Sequence, residues 1–515
     1  METFLHTLRR ADEGVTGSFD RAFAPAHNPW RHLGALAFLC LVTAMATGIV
    51  AYAWYDTSVQ GAYASGLRLQ NDPLLLGRLL RGLHRYAADA CMLLSVLHLL
   101  REAARGHFRG VRWYSWLTGI ALVGLVWLSG VTGLWLLWDA RALFSLSATA
   151  EWLQVLPLGA DLLVRNVLTP AALNDRFFSL LMFVHIGLPL LLLAGTWIHV
   201  QRIALARMWP PKALALETLA MLAALALLWP AVSMGQADTS RVISVLSLDW
   251  FYLFVHPLVQ ALSAQTVWWM AAGLTAALAL MPLLRPAAAA RRAVARVDLA
   301  HCNGCARCVA DCPFGAVSML ARTDLTRHAL QASVQSDLCA ACGICVGSCP
   351  SATPFRSGEA MVSGIDMPDT PIARIRRDLQ DKLAALPQSP KMVLFSCRHA
   401  ADCSARANPT TLVLTLECAA MLPPSFIEYA LRLGAAGVLI AGCRAGDCEY
   451  RLGDRWVHER LLGLREPHLR ASVSRAQVAV QWCGDQITDI DTALADLRAQ
   501  ACQDTALKTP ISLPA

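Results

Sequence analysis

Two runs of cysteine leave this chain the fewest choices. Cys302, Cys305, Cys308 and Cys312-Pro313 follow the spacing C-x2-C-x2-C-x3-C-P, and Cys339, Cys342, Cys345 and Cys349-Pro350 repeat it. That is the spacing of cysteines that ligate 4Fe-4S clusters. A zinc ribbon or a disulfide framework is the alternative. Zinc sites rarely space three cysteines at successive three-residue steps ahead of Cys-Pro, and here the pattern occurs twice.

Of 17 cysteines, 15 lie after position 300, clustered as metal ligands are rather than scattered as in a secreted disulfide scaffold. They are expected to stay reduced and metallated in the cytosol. The double run resembles the bacterial two-cluster ferredoxins over about 298–355, where the fourth cysteine of each run serves the other cluster. The resemblance implies one cluster on Cys302, Cys305, Cys308 and Cys349, and a second on Cys339, Cys342, Cys345 and Cys312.

Ahead of these runs the chain is apolar. Hydrophobic residues make up 56% of the 515 and charged ones 16%, with the apolar share concentrated before position 285. Stretches of bilayer length fall at about 33–54, 83–102, 114–138, 177–201, 213–234 and 265–284, which predicts six membrane-crossing helices. The first apolar run begins only near Leu33, so no cleavable leader is expected, and Arg9-Arg10 reads as a basic flank.

The connections carry charge unevenly. On one side lie Arg9, Arg10, Arg21, Arg31, Arg101, Arg105, Arg109, Arg112, Arg202, Arg207, Lys212, Arg285, Arg291, Arg292 and Arg296. The longer connections opposite hold Arg68, Arg78, Arg81, Arg141, Arg165, Arg176 and Arg241. The positive-inside rule then puts both termini and all the cysteine runs in the cytoplasm of a bacterial inner membrane. The net charge of +7 needs no nucleic acid to explain it, because the arginines sit between apolar segments.

Histidine inside a bilayer is costly and usually functional. His84 and His98 share one predicted helix, and His185 and His199 another, each pair 14 residues apart. Fourteen residues are about 21 Å of rise and close to four turns, so both rings of a pair face the same way at two depths. Two such helices can clamp two stacked haems, His84 with His185 toward the outer face and His98 with His199 toward the inner. Gly34 and Gly48, and Gly119 and Gly133, repeat the 14-residue step. Glycine suits a helix where a macrocycle approaches its backbone, although small residues also serve ordinary helix packing.

These residues resemble cytochrome b of the quinol-cytochrome c reductases over about 29–284. The likeness includes Arg81 and Arg101 flanking the first histidine pair, Asp175-Arg176-Phe177-Phe178 leading to His185, and Ser247-Leu248-Asp249-Trp250-Phe251-Tyr252-Leu253-Phe254, similar to that family's Pro-Glu-Trp-Tyr segment at the outer quinol pocket. It implies haem binding by the four histidines, with Gly34, Gly48, Gly119, Gly133, Arg81 and Arg101 around the haems, and quinone chemistry at Asp249 and Trp250. Leucine, aspartate and phenylalanine here replace proline, glutamate and tyrosine. Asp249 either exchanges a quinone proton or caps the helix that follows it. The family's high-potential iron-sulfur partner is not encoded in this chain.

Residues 285–297 read as a basic linker that touches lipid head groups, and 356–390 as a second linker with a short helix over 372–386. From Lys391, strands are predicted at 392–395, 412–416, 437–440 and 478–481, with helices over 424–433 and 455–462, which makes a small parallel α/β domain. Cys397, Cys418, Cys443 and Cys483 follow the strands, with Cys403 and Cys448 close behind. The carboxyl ends of parallel strands form the ligand crevice of such a sheet.

This part resembles the delta subunit of methyl-viologen-reducing hydrogenases over about 391–485. The resemblance is carried by Val393-Leu394-Phe395-Ser396-Cys397, by Cys418 ahead of Pro424-Ser425-Phe426, and by Gly442-Cys443-Arg444-Ala445-Gly446-Asp447-Cys448-Glu449-Tyr450. It implies one 2Fe-2S cluster on Cys397, Cys418, Cys443 and Cys448. Cys403 is a rival to Cys397, and Cys483 is an addition.

The fold expected is therefore multidomain: a cytoplasmic segment 1–32, an all-α six-helix dihaem bundle over 33–284, a ferredoxin-type α+β domain over 298–355, and an α/β domain over 391–515. The function implied is membrane-bound electron transfer between quinone and a cytoplasmic flavin-containing, heterodisulfide-reductase-like subunit with its associated dehydrogenase. A homodimer is compatible with it. The alternatives are a cytochrome b anchor of a hydrogenase or formate dehydrogenase with quinone at the inner haem, and a membrane redox sensor. No nucleotide loop, flavin motif or nucleophilic triad is present, which leaves substrate chemistry to a partner.

Overall fold

The computed structural model describes residues 2–156, 173–240, 246–284, 293–322, 328–355, 361–483 and 487–507. Arg165, Arg241, Arg285, Arg291 and Arg292 of the charge count, and most of the linker expected at 285–297, lie outside the described residues. The chain divides into two compact units, Met1–Gln201 with Ala206–Pro286 and Arg202–Leu205 with Ala287–Ala515.

The first unit is helical. Its elements are α1 (Glu2–Phe23), α2 (Leu33–Tyr52), α3 (Gly61–Gln70), α4 (Leu76–Ala104), α5 (Trp113–Trp135), α6 (Ala140–Gln154), α7 (Asp175–Val200), α8 (Lys212–Leu228), α9 (Trp250–Leu253), α10 (Val255–Leu262) and α11 (Ala264–Leu280). A helix stands at each of the six positions where an apolar stretch predicts one. Four spans, Leu33–Tyr52, Gly110–Trp135, Asp175–Val200 and Ala264–Leu283, are long and apolar enough to cross a membrane by length and composition. Of the other two, α4 carries Arg85 and Asp89 mid-helix, and α8 has only 17 residues.

The bundle is assembled by α2 packing on α4, α5 on α7, and α4 also on α5 and α8. Cys40, Cys91, Leu192 and Leu222 form its buried centre. Where α4 meets α8 the residue is Gly82, and a Cβ there would stand 2.5 Å from Ala226 Cβ, so only glycine allows that approach. The turns are pinned by caps. Asn174 accepts from Arg176 N and Phe177 N at 3.0 and 3.2 Å to start α7. Asp139 starts α6 by accepting from Ala142 N, and its second oxygen accepts from Met234 N, each at 2.9 Å.

The second unit contains β1 (Arg296–Val297), α12 (Arg307–Asp311), β2 (Val317–Ala321), β3 (Leu330–Val334), α13 (Ile344–Ser348), β4 (Ile365–Asp366), α14 (Ile372–Ala384), β5 (Met392–Cys397), β6 (Thr411–Leu416), α15 (Ser425–Arg432), β7 (Gly437–Gly442), α16 (Gly453–Leu461), β8 (Val478–Trp482) and α17 (Ile487–Leu507). β1 pairs with β4 and β2 with β3, both antiparallel, around the two short helices. The stretch 356–390 thus contains a strand that pairs back with Arg296–Val297. It also contains α14, which buries Ile372, Ile375, Leu379 and Leu383 and packs on β6 and α15.

The four predicted strands form one parallel sheet in the order β6-β5-β7-β8. Every residue of β5 and β7 is buried, as expected for central strands covered on both faces. Cys397 ends β5, Cys443 and Cys483 directly follow β7 and β8, and Cys418 lies two residues beyond β6.

Candidate functional site

In the helical unit, α4 carries His84 and His98 and α7 carries His185 and His199. The rings of His84 and His185 face each other with centroids 6.2 Å apart and planes at 73°. A metal-to-imidazole bond of about 2.0 Å plus a ring radius of about 1.1 Å, taken twice, gives about the same span, so the ring separation is that of two imidazoles on one metal. His98 and His199 are close enough to interact electrostatically.

Each histidine is backed by one of the four predicted glycines. A Cβ on Gly48 would stand 2.8 Å from His84 Cε1, and one on Gly133 2.8 Å from His185 Cε1. At the other depth, Gly34 faces His98 Nε2 at 3.3 Å and Gly119 faces His199 Cε1 at 3.2 Å. Each of these glycines, expected beside a macrocycle, lies against one of the four imidazoles.

A second set of residues orients the rings. His84 Nδ1 lies 2.8 Å from Ala44 O, His185 Nδ1 3.2 Å from Thr132 Oγ1, and His199 Nδ1 3.0 Å from Thr118 Oγ1. With Nδ1–H donating to these oxygens, the Nε2 lone pair is left for a metal. Thr118 and Thr132 directly precede Gly119 and Gly133, and Thr47 precedes Gly48 with its hydroxyl 3.4 Å from His84 Nδ1. The recurring Thr-Gly dipeptide was a legible signal that sequence reasoning passed over. His98 differs, its Nδ1 standing 4.0 Å from Glu102 Oε1.

In the second unit two cavities divide the eight cysteines of the repeated run. One is lined by Cys302, Cys305, Cys308 and Cys349, the other by Cys312, Cys339, Cys342 and Cys345. The fourth cysteine of each run is therefore in the cavity of the other run. Burial pushes the Cys308 thiol up to about 12, and the charge of a bound metal would be what holds it as thiolate. Among the described residues no three His, Cys, Asp or Glu side chains converge on one point as ligands of a lone ion do. Cluster ligands are spread over several irons and stand further apart.

A third group of cysteines lies at the sheet. Cys397 Sγ and Cys443 Sγ are 3.9 Å apart, and Gly453 leaves room where a Cβ would stand 2.5 Å from Cys418 Sγ and 3.0 Å from Cys448 Sγ. Hydrogen bonds from Cys418 and Cys443 lower the Cys397 and Cys448 thiols. Cys403 and Cys483 are elsewhere, buried together with Met392, Leu394 and Leu439.

The dicluster region packs tightly on the sheet region. Asp311 at the end of α12 accepts from Arg460 at 2.5 Å and from Arg465 at 2.6 Å, and its carbonyl accepts from Trp456 Nε1 at 3.0 Å. Arg460 also donates to Ala420 O at 2.8 Å, and any side chain at position Gly347 would collide with that carbonyl. Cys342 and Cys448, from different four-cysteine groups, interact electrostatically across this contact.

The family model for cytochrome b/b6/petB matches residues 19–206. A cytochrome b6 from Euglena gracilis is 30% identical over 184 residues, covering 35% of this chain and 84% of that protein. The chain belongs to the cytochrome b/b6 family. Cytochrome b6 of Prochlorothrix hollandica is 29% identical over 177 residues, 33% of this chain and 79% of that protein. The model of the 4Fe-4S dicluster domain matches 297–353, and that of the methyl-viologen-reducing hydrogenase delta subunit matches 393–496. A chain of a hyperthermophilic respiratory Complex III overlays with a TM-score of 0.42 at 18% identity, covering 49% of this chain and 75% of that one. This cytochrome b-type chain is a membrane electron-transfer protein, its first region implying haem and its second 4Fe-4S clusters.

The remaining expected residues of this cytochrome b region have other partners in the structure. Arg81 donates to Gly66 O, Gln70 Oε1 and Ser233 Oγ at 2.8–3.0 Å, and Arg101 pairs with Asp12 at 3.5 Å. Asp249 caps α9, accepting from Phe251 N and Tyr252 N at 3.1 Å each, and pairs with Arg85. The side chain of Trp250 lies outside the described residues.

Proposed function

We propose that this chain links the quinone pool to a cytoplasmic flavoprotein of the heterodisulfide-reductase type, passing electrons through two b haems, two 4Fe-4S clusters and one 2Fe-2S cluster. One observation supports this most. A single chain presents two histidine tiers backed by glycine in its helical unit and three separate groups of four cysteines in its second unit.

His84 with His185 and His98 with His199 would hold the haems, the threonines fixing the imidazole tautomers. The cavities of Cys302, Cys305, Cys308, Cys349 and of Cys312, Cys339, Cys342, Cys345 would hold the 4Fe-4S clusters, and Cys397, Cys418, Cys443 and Cys448 the 2Fe-2S cluster. When bound, these groups supply one-electron steps at potentials set by their ligands. The crossed cysteines keep the two 4Fe-4S sites adjacent, and the Asp311–Arg460 contact keeps the second of them beside the sheet cysteines. Six crossings with the basic connections inside would place all clusters in the cytoplasm, where the hydrogenase-delta-like region meets its partner.

The test is gentle purification of the full chain with its co-purifying subunits, followed by a redox titration of haem absorbance and electron paramagnetic resonance of the reduced clusters. Two b-type transitions, three cluster signals and a flavin-containing partner are expected. A single haem per chain, or haems that respond to no quinone, would sink the reading.

A further inference from the structure

Two carboxylates and one guanidinium lie within the apolar bundle. Asp89 is in the middle of α4, five residues beyond His84, and Arg85 Nε donates to its Oδ2 at 3.0 Å. A terminal nitrogen of Arg85 donates to Asp249 Oδ2. Asp249 is fully committed, because its Oδ1 accepts the two backbone N–H groups that begin α9. Asp89 is not: its Oδ1 is buried and accepts no hydrogen bond.

The hydroxyl of Tyr252 is in the same condition, buried without a partner on a side chain 1% exposed. The ring lies under the Arg85 guanidinium, 5.4 Å from carbon to centroid, in space left by Gly130 on α5. Gly130 is three residues from Gly133, which backs His185. Buried polar groups are almost always hydrogen-bonded, so two without partners at one charge cluster point to a ligand carrying oxygen.

Charge balance says what the ligand exchanges. No charged residue occurs anywhere in α2 or α5, and those of α8 are Lys212 and Glu217 near its start. The charged groups beside Asp89 are Arg85 and Asp249, with the phenols of Tyr252 and Tyr86 also near it, so one guanidinium meets two carboxylates and leaves one negative charge without a counter-ion in apolar surroundings. That is expensive, and one proton removes it. Only Asp89 has an oxygen open to receive that proton.

We propose that Asp89 is the proton-exchanging carboxylate of the quinone site, with the Tyr252 hydroxyl as hydrogen-bond partner of the ring oxygen and Asp249 as the residue that positions Arg85. This rests on the quinone reading above. A quinol giving up two electrons, one at a time to the histidine-held haem, releases two protons. One passes from its hydroxyl to Asp89 Oδ1 and the other to solvent. In the opposite direction the quinone takes two electrons and two protons, one of them from Asp89.

The experiment uses the full chain in proteoliposomes with a short-chain ubiquinol and a naphthoquinol. It reads the rate of haem reduction and the infrared difference band of a protonated carboxyl. Asp89→Asn is expected to slow reduction by about 100-fold or more with an unchanged haem spectrum, and to abolish the band, while Asp89→Glu restores part of both. If Asp89→Asn fails to take up haem, Tyr252→Phe carries the test, with a weaker apparent quinol affinity expected and an unchanged one overturning the assignment. Asp89→Asn at the unaltered rate, or a loss confined to Asp249→Asn, overturns the assignment alone. Unaltered protein whose haems respond to neither quinol overturns the quinone reading itself.

Discussion

Arg460 donates to Asp311 at 2.5 Å with both side chains sealed from water, 1% and 3% exposed. The two residues are 149 positions apart and belong to different cysteine-bearing regions of the second unit. A buried pair of this kind adds little when whole, but removing one partner strands a charge.

Asp311→Asn is therefore expected to destabilise the second unit by about 3–5 kcal/mol, because it strands the buried Arg460, whereas Arg460→Met leaves Asp311 its second pair with Arg465 at 2.6 Å and should cost less. The check is the denaturant midpoint at which visible iron-sulfur absorbance is lost. Arg460→Met combined with Asp311→Asn should recover much of the loss, because neither residue is then left as an unpaired ion. A midpoint unmoved by Asp311→Asn would mean that the contact carries no load.

The glycines predict a selective lesion. A Cβ at Gly48 or Gly133 would press 2.8 Å from the Cε1 of His84 or His185, so Gly48→Val or Gly133→Val should displace one imidazole and cost the outer haem only. Pyridine haemochrome analysis should then give one haem per chain instead of two. Gly34→Val and Gly119→Val should do the same to the inner haem.

Much of this was legible in the chain because the chemistry is periodic. The 14-residue histidine and glycine steps, the repeated C-x2-C-x2-C-x3-C-P and the four apolar strands are local patterns, and the eight cysteines of the repeated run line two cavities, four in each. What was missed depends on distant partners. Asp139 looks like an ordinary helix cap, yet its second oxygen holds Met234, 95 residues away. Helix α6 lies in a connection whose hydropathy predicts nothing. Asp89 passes as one polar residue in an apolar span until Arg85 and Asp249 are seen beside it.

The threonines predict tuning rather than loss. Thr118→Val removes the oxygen 3.0 Å from His199 Nδ1 while keeping the side chain's shape, leaving that N–H without its side-chain partner. Partners of this kind typically contribute about 10–100-fold to metal affinity or activity. The inner haem should be retained less tightly and its midpoint potential should shift, with the outer haem unmoved. Equal shifts in both haems would mean that Thr118 acts through general packing.

Cys403 and Cys397 are both buried cysteines at or beyond the end of β5, and the sequence leaves either to serve the 2Fe-2S site. The structure separates them. Cys397 Sγ lies 3.9 Å from Cys443 Sγ, close to the about 3.8 Å between two thiolates on one tetrahedral metal, given bonds of about 2.3 Å. Cys403 instead donates to Ala401 O at 3.3 Å and packs with Met392, Leu394 and Cys483. Cys397→Ser should therefore abolish the 2Fe-2S resonance while both 4Fe-4S signals survive in the reduced protein. Cys403→Ser should keep all three signals and lower only the thermal midpoint, because a hydroxyl replaces a buried thiol of similar shape. The assignment exchanges if the 2Fe-2S signal disappears in Cys403→Ser and persists in Cys397→Ser.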